Sequence, residues 1–197
     1  LHDDVGNLLS DSTTGDSLTM QFFDAGTVMV TCRTNNRLTH LSADTFNTYL
    51  EEDGLDDAIA WRKEHNETDS AGREFYQRSV KTLIQIGTLF DSTYKRKTNL
   101  PLDIIPLKHP YLLKKDHDFG VRVLFNGEPL SNTLVKVWHR TSSGTEKTEM
   151  TTDDEGRIYF PVSLHGMWMV STVKIVRTED QAEADWQSYW GSLTWGY

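Results

Sequence analysis

The 197-residue sequence predicts a mainly β protein made of two β-sandwich-like domains. The first domain carries a short helical insertion, and the second is an immunoglobulin-like antiparallel sandwich. Three observations support this prediction. Short segments of alternating apolar and polar residues, separated by turn residues, recur after residue 119 at the spacing of a sandwich. Residues 42–65 have the apolar spacing of helices instead. Apolar residues make up 37% of the chain, which is enough for a folded core. We therefore expect domains at residues 1–100 and 101–197.

The first domain is expected to begin with an irregular segment, because residues 1–15 are rich in Asp, Ser, Thr and Gly and lack periodicity. Residues 27–32 alternate and are β-branched, which predicts a strand with Cys32 in a buried position. Ser42 is placed to cap a helix that Gly54 ends. A second short helix follows, so a helical hairpin lies between strands.

The spacing of residues 74–87 fits either a helix or a strand, and we expect a strand in the second half of this segment. Residues 91–99 are polar and basic, as in a linker or a long loop. Residues 102–107 then read as a short edge strand that prolines stop.

The second domain alternates from its start, and the Asn126-Gly127 pair marks its first tight turn. Further strands are expected at residues 134–137, 158–162, 167–176 and 193–197. His139 continues the inward positions of Val135 and Val137, so it is expected to pack in the core.

Two motifs in the second domain resemble a known sandwich pattern. The residues GEPLSNTLVKV at 127–137 and TDDEGRIYF at 152–160 resemble surface-exposed immunoglobulin-like and carboxypeptidase-regulatory-like domains. Such a resemblance implies a fold and does not by itself imply a function.

Upstream segments resemble a narrower family. The residues FNTYLEEDGL at 46–55, REFYQRSVKTL at 73–83 and LDIIPL at 102–107 are similar to exported bacterial proteins of unknown function, some of which are labelled periplasmic component of cobalt/nickel uptake. The resemblance implies a periplasmic or cell-surface location, and a metal ion or a membrane transport component as partner. The chain begins at Leu1 rather than at Met, so we expect an N-terminal portion with an export signal to be missing from it.

A cluster of imidazole and carboxylate groups is the best candidate metal site. It consists of His109, Asp116, His117 and Asp118, whose side chains suit nickel, cobalt or zinc. Because these residues follow one another in a single segment, an ordinary polar inter-domain loop is the alternative.

Aromatic residues are dense near the C-terminal end. Trp186, Tyr189 and Trp190 could form a glycan-stacking surface, because exposed indoles offer flat apolar platforms. The alternative is a loop that anchors onto the sandwich through these rings.

Several function classes are disfavoured by composition and motifs. A net charge of -9 argues against binding to nucleic acid or to an anionic membrane. No segment has the ~20 apolar residues needed to cross a bilayer. The sequence also lacks nucleophile-elbow and phosphate-loop motifs. The missing motifs predict a non-catalytic protein, and the family resemblance implies an exported binding protein associated with nickel or cobalt uptake. The alternative is a structural or glycan-contacting adhesion module.

Overall fold

The computed structural model describes residues 20, 22, 24–114, 118–178 and 182–197. The predicted mainly β class with a short helical insertion is confirmed. The elements in chain order are β1 (Gly26–Arg33), β2 (Arg37–Leu41), α1 (Ala43–Glu52), α2 (Asp56–Glu64), β3 (Gly72–Ile86), β4 (Leu102–Pro106), β5 (Asp118–Phe125), β6 (Glu128–Pro129), β7 (Leu134–Thr141), β8 (Gly144–Thr151), β9 (Arg157–Pro161), β10 (Met167–Arg177) and β11 (Trp186–Gly196). The expected irregular segment at residues 1–15 lies outside the described residues.

The strands form two sheets that pack face to face. The seven-stranded sheet has the order β1-β3-β11-β10-β7-β8, and β2 also pairs with β3. The four-stranded sheet consists of β4, β5, β6 and β9, with β4 at its edge as predicted. β11 runs parallel to β3 and antiparallel to β10. The larger sheet thus includes strands from both predicted domains, and the boundary at residue 100 stays a prediction.

The main core lies between the two sheets. Alternation along β11 turns Leu193 and Trp195 inward, where both are fully buried. The Trp195 ring packs 4.9 Å from that of Phe119 on β5 and 6.2 Å from that of Trp168 on β10, measured between centroids. His139 stacks on Trp168 with centroids 4.0 Å apart, so the prediction that it packs is confirmed.

A buried ion pair joins β3 to β4 in this core. The ammonium of Lys81 donates to the carboxylate of Asp103 and to the carbonyl of Ile104, the latter at 3.1 Å. Asp103 also accepts the N–H of Thr98 at 2.8 Å. The side chains of Lys81 and Asp103 are 1% and 4% exposed, so each charge depends on the other for compensation.

The helical hairpin covers part of the opposite face of the larger sheet, which we call the outer face. Ser42 caps α1 by accepting the N–H of Thr45, as predicted. Phe46 and Leu50 are fully buried beneath the helix. Gly54 ends it with φ of +61°, and a Cβ at this position would lie 2.8 Å from that of Leu134. A glycine is therefore required both for the turn and for the close approach of the helix end to the sheet.

Three predictions about single segments need correction or extension. Cys32 is exposed, so the prediction of a buried position is wrong: it lies beside Val80 on the uncovered part of the outer face, on an edge strand. The expected strand in the second half of residues 74–87 is confirmed, and the first half is part of the same strand. Residues 186–190 belong to β11 rather than to an anchoring loop.

Across the described ranges, none of the helices is both long and apolar enough to span a membrane.

Candidate functional site

A groove of about 330 Å³ lies on the outer face, next to the end of α1. Its shape follows from side-chain size. Ser171 on β10 and Ser192 on β11 are directly opposite each other in the strand register, and they form a low floor. Larger side chains flank them along both strands. The lining also includes three charged side chains and two indoles, which are Asp53, Arg78, Lys136, Trp138 and Trp190.

Two indole rings form opposite parts of the groove wall. The Nε1–H of Trp138 donates to the Ser171 hydroxyl at 2.9 Å, and that of Trp190 donates to the Ser188 hydroxyl at 3.0 Å. The ring of Tyr49 stacks on Trp190 with an interplanar angle of 14°. Both indoles are half-buried. Hydrogen bonding and stacking fix their orientation, so they form a preorganised apolar surface.

Three charged side chains line the groove, and two of them neutralise each other. Asp53 at the end of α1 and Lys136 on β7 form an ion pair of 2.6 Å, with 13% and 17% of their side chains exposed. Arg78 is exposed and lies beside Trp190 in the register of β3 and β11. Its guanidinium has no hydrogen-bond or ion-pair partner among residues 24–114, 118–178 and 182–197. The groove therefore has a net positive end.

A buried carboxyl group lies behind the Trp190 wall. Glu74 on β3 is 2% exposed, and burial raises its pKa to about 7. The hydroxyl of Ser188 donates to Glu74 while accepting from Trp190. Burial, and then the nearby carboxylate of Glu74, raise the pKa of Tyr49. One side chain, Ser188, thus connects a titratable group to an indole of the groove.

The three aromatic residues predicted as a glycan surface lie in different environments. Trp190 lines the groove. Trp186 is on the same face of β11 but is 3% exposed, because it packs under Phe46 and against the guanidinium of Arg177. Tyr189 faces the opposite side and packs on Phe125, with ring centroids 5.1 Å apart. The structure therefore brings one of the three to the groove.

Sequence reasoning missed the partner of Trp190 across the groove. Val135 and Val137 were recognised as inward positions of a strand, and alternation then directs Lys136 and Trp138 outward. That signal was available for Trp138. The pairing of Ser171 with Ser192 depends on the register of β10 and β11, which the local sequence does not specify.

The predicted metal cluster is described only in part, since Asp116 and His117 lie outside the described residues. His109 is 6% exposed, and burial lowers its pKa. Its Nε2 lies 3.0 Å from the Thr27 hydroxyl, and its Nδ1 accepts the N–H of Tyr111. Asp118 is exposed at the start of β5. Within the described segments, no group of three or more His, Cys, Asp and Glu residues is arranged to hold a metal ion.

Two other histidines lie next to each other at the turn before β10. The ring centroids of His139 and His165 are 5.3 Å apart. Nε2 of His139 lies 2.9 Å from the carbonyl oxygen of His165. The contact between these rings joins β7 to the turn that contains His165.

The fold and the groove define a mainly β protein with a helical hairpin on the outer face of its larger sheet. The chain belongs to the family described as Domain of unknown function (DUF4198), whose profile matches residues 5–175. No curated protein and no solved structure matches it.

Proposed function

We propose that the protein is a non-catalytic binding protein of the periplasm or cell surface, and that the groove holds a glycan. The observation that carries this proposal is the pair of fixed indoles, Trp138 and Trp190, on either side of a serine floor. An indole offers a flat apolar surface to the C–H face of a sugar ring. The floor hydroxyls can donate to and accept from sugar hydroxyls. At about 330 Å³, the groove is within the size range of small-ligand sites.

The charged groups of the groove support the non-catalytic part of the proposal. Hydrolysis of a glycosidic bond ordinarily uses two carboxyl groups that flank the bond. Among the described groove residues, Asp53 is the one carboxylate, and it is held in an ion pair with Lys136. The described lining of the groove therefore does not provide the pair of carboxyl groups that this reaction uses.

Binding to a glycan array, followed by calorimetric titration with the glycans that bind, tests this proposal. Trp138→Ala should weaken binding by about tenfold or more, because a stacked ring contributes on the order of 1 kcal/mol or more beyond its buried area. Trp138→Phe should retain part of the affinity. Trp61→Ala is the matched control, since Trp61 is a partly exposed indole on α2 that does not line the groove. Equal affinity of Trp138→Ala and the unmodified chain would refute the groove as the site.

Nickel or cobalt binding linked to a membrane transport component is the second candidate function. It is favoured by the resemblance of residues 46–55 and 73–83 to proteins labelled for cobalt/nickel uptake, and by the adjacent imidazoles of His139 and His165. Calorimetric titration with Ni²⁺, Co²⁺ and Zn²⁺ should then show saturable binding that His139→Gln with His165→Gln weakens. His40→Gln, an exposed histidine on β2, is the control. No saturable binding by the unmodified chain would remove this candidate.

A further inference from the structure

We infer that the ligand of the groove is an acidic saccharide whose uronate carboxylate binds Arg78. This inference rests on the proposed glycan-binding function and specifies its substrate class. Arg78 lines the groove, is exposed, and has no partner for its guanidinium within the described part of the chain. A planar guanidinium matches a carboxylate with two parallel hydrogen bonds.

The other two charged side chains in the described lining of the groove are matched to each other, and the lysine beside Trp138 also has a partner. Asp53 pairs with Lys136 at 2.6 Å, and Lys147 beside Trp138 pairs with Glu149 at 2.8 Å. The described lining of the groove therefore has one excess positive charge, on a chain whose net charge is -9. The guanidinium of Arg78 attracts an anionic group to this one point, whereas the negative charge of the rest of the chain repels an anion elsewhere.

Strand geometry places the cation where a ring substituent can reach it. Arg78 and Trp190 are register partners on the adjacent strands β3 and β11, so their backbones are about 4.8 Å apart. Both side chains are on the outer face. A sugar ring that lies against Trp190 can therefore direct an exocyclic carboxylate to the guanidinium of Arg78. The hydroxyl of Ser192, next along the same face of β11, remains available for a ring hydroxyl.

Paired ligands test the inference. Oligomers of galacturonate, mannuronate and glucuronate, each with its neutral carboxyl-reduced counterpart and a sulfated neutral oligomer, are titrated by calorimetry into the full chain and its variants. We expect at least one uronate oligomer to bind, and its affinity to fall about tenfold or more on carboxyl reduction and on Arg78→Gln. Arg78→Lys should give an intermediate loss, because it retains the charge without the planar fork. Arg33→Gln is the control: Arg33 is exposed on β1 and faces the other side of the sheet.

The outcomes separate the inference from the proposed function. If a neutral or sulfated glycan binds with a Trp138-dependent affinity while no uronate is preferred, the inference is overturned and the groove remains a glycan site. Uronate binding that Arg78→Gln leaves unchanged also overturns the inference. If no glycan binds at all, both the inference and the proposed glycan function fail.

Discussion

Replacing Glu74 with glutamine tests how one buried carboxyl group behind the groove affects the stability of the protein. Burial raises the pKa of Glu74 from an ordinary value of 4.5 to about 7. The hydrogen bond from Ser188 lowers this pKa and the nearby carboxylate of Asp53 raises it, and both effects are smaller than that of burial. Between these two values the folded chain keeps a proton that the unfolded chain releases. The contribution of Glu74 to stability is therefore complete below pH 4.5 and is lost as the pH rises through 7.

The size of the effect follows from the difference between the two pKa values. At about 1.4 kcal/mol per pH unit, a change from 4.5 to about 7 corresponds to about 3.5 kcal/mol in full. Between pH 5 and pH 8 the linkage relation gives about 2.5 kcal/mol, because part of the loss has already occurred at pH 5. Glutamine resembles the protonated acid in size and carries no charge at either pH. Glu74→Gln should therefore become more stable relative to the unmodified chain by about 2.5 kcal/mol over this interval.

Urea denaturation followed by tryptophan fluorescence at pH 5 and pH 8 measures this difference. With a urea slope of about 2–3 kcal/mol per molar, the midpoint of Glu74→Gln should gain about 1 M on the unmodified chain at the higher pH. Glu51→Gln makes the same chemical change at an exposed position of α1, and it should leave the pH dependence unaltered. An equal stability difference between Glu74→Gln and the unmodified chain at both pH values would refute the argument.

Three further substitutions test the packing. Lys81→Met should lower the free energy of unfolding in urea by about 3–5 kcal/mol, because Asp103 is left buried without a counter-charge. Adding Asp103→Leu should recover most of this loss. A loss below about 1 kcal/mol would contradict the burial of the pair. Gly72→Ala should lower the free energy of unfolding by about 1–3 kcal/mol and speed amide hydrogen exchange in α1, because the new Cβ would overlap the Phe46 ring. Unchanged exchange would show that the ring can move aside without disturbing the helix. Trp195→Ala should cost about 3–5 kcal/mol by thermal unfolding, and a smaller loss would mean that the core closes around the deletion.

The predictable parts of the fold are those whose signal is local. Ser42 and Gly54 predict the two ends of α1, because an N-cap and a C-terminal glycine with positive φ depend on neighbouring residues alone. Alternation likewise identified the inward position of His139, next to Trp168. Cys32 was misplaced because alternation shows which residues share a face and does not show which face is covered.

The groove depends on contacts between distant segments, and this limits what the sequence reveals about it. Trp186 and Trp190 share one face of β11, yet α1 covers only Trp186. The position of α1 on the sheet is a tertiary property. Arg78 gains its place beside Trp190 only through the parallel pairing of β3 with β11, which no local pattern specifies.

The parallel pairing of β3 and β11 also constrains the order of folding. Thr82 and Thr194, which face each other across this pair, are 112 residues apart in the chain. Closing so long a loop is slow, and β11 follows every other described strand during synthesis. Until β11 is inserted, β3 and β10 each present an unpaired edge to other chains. A chain whose synthesis stops before Trp186 would therefore have two open strand edges. Such edges promote aggregation through edge-to-edge pairing with other chains.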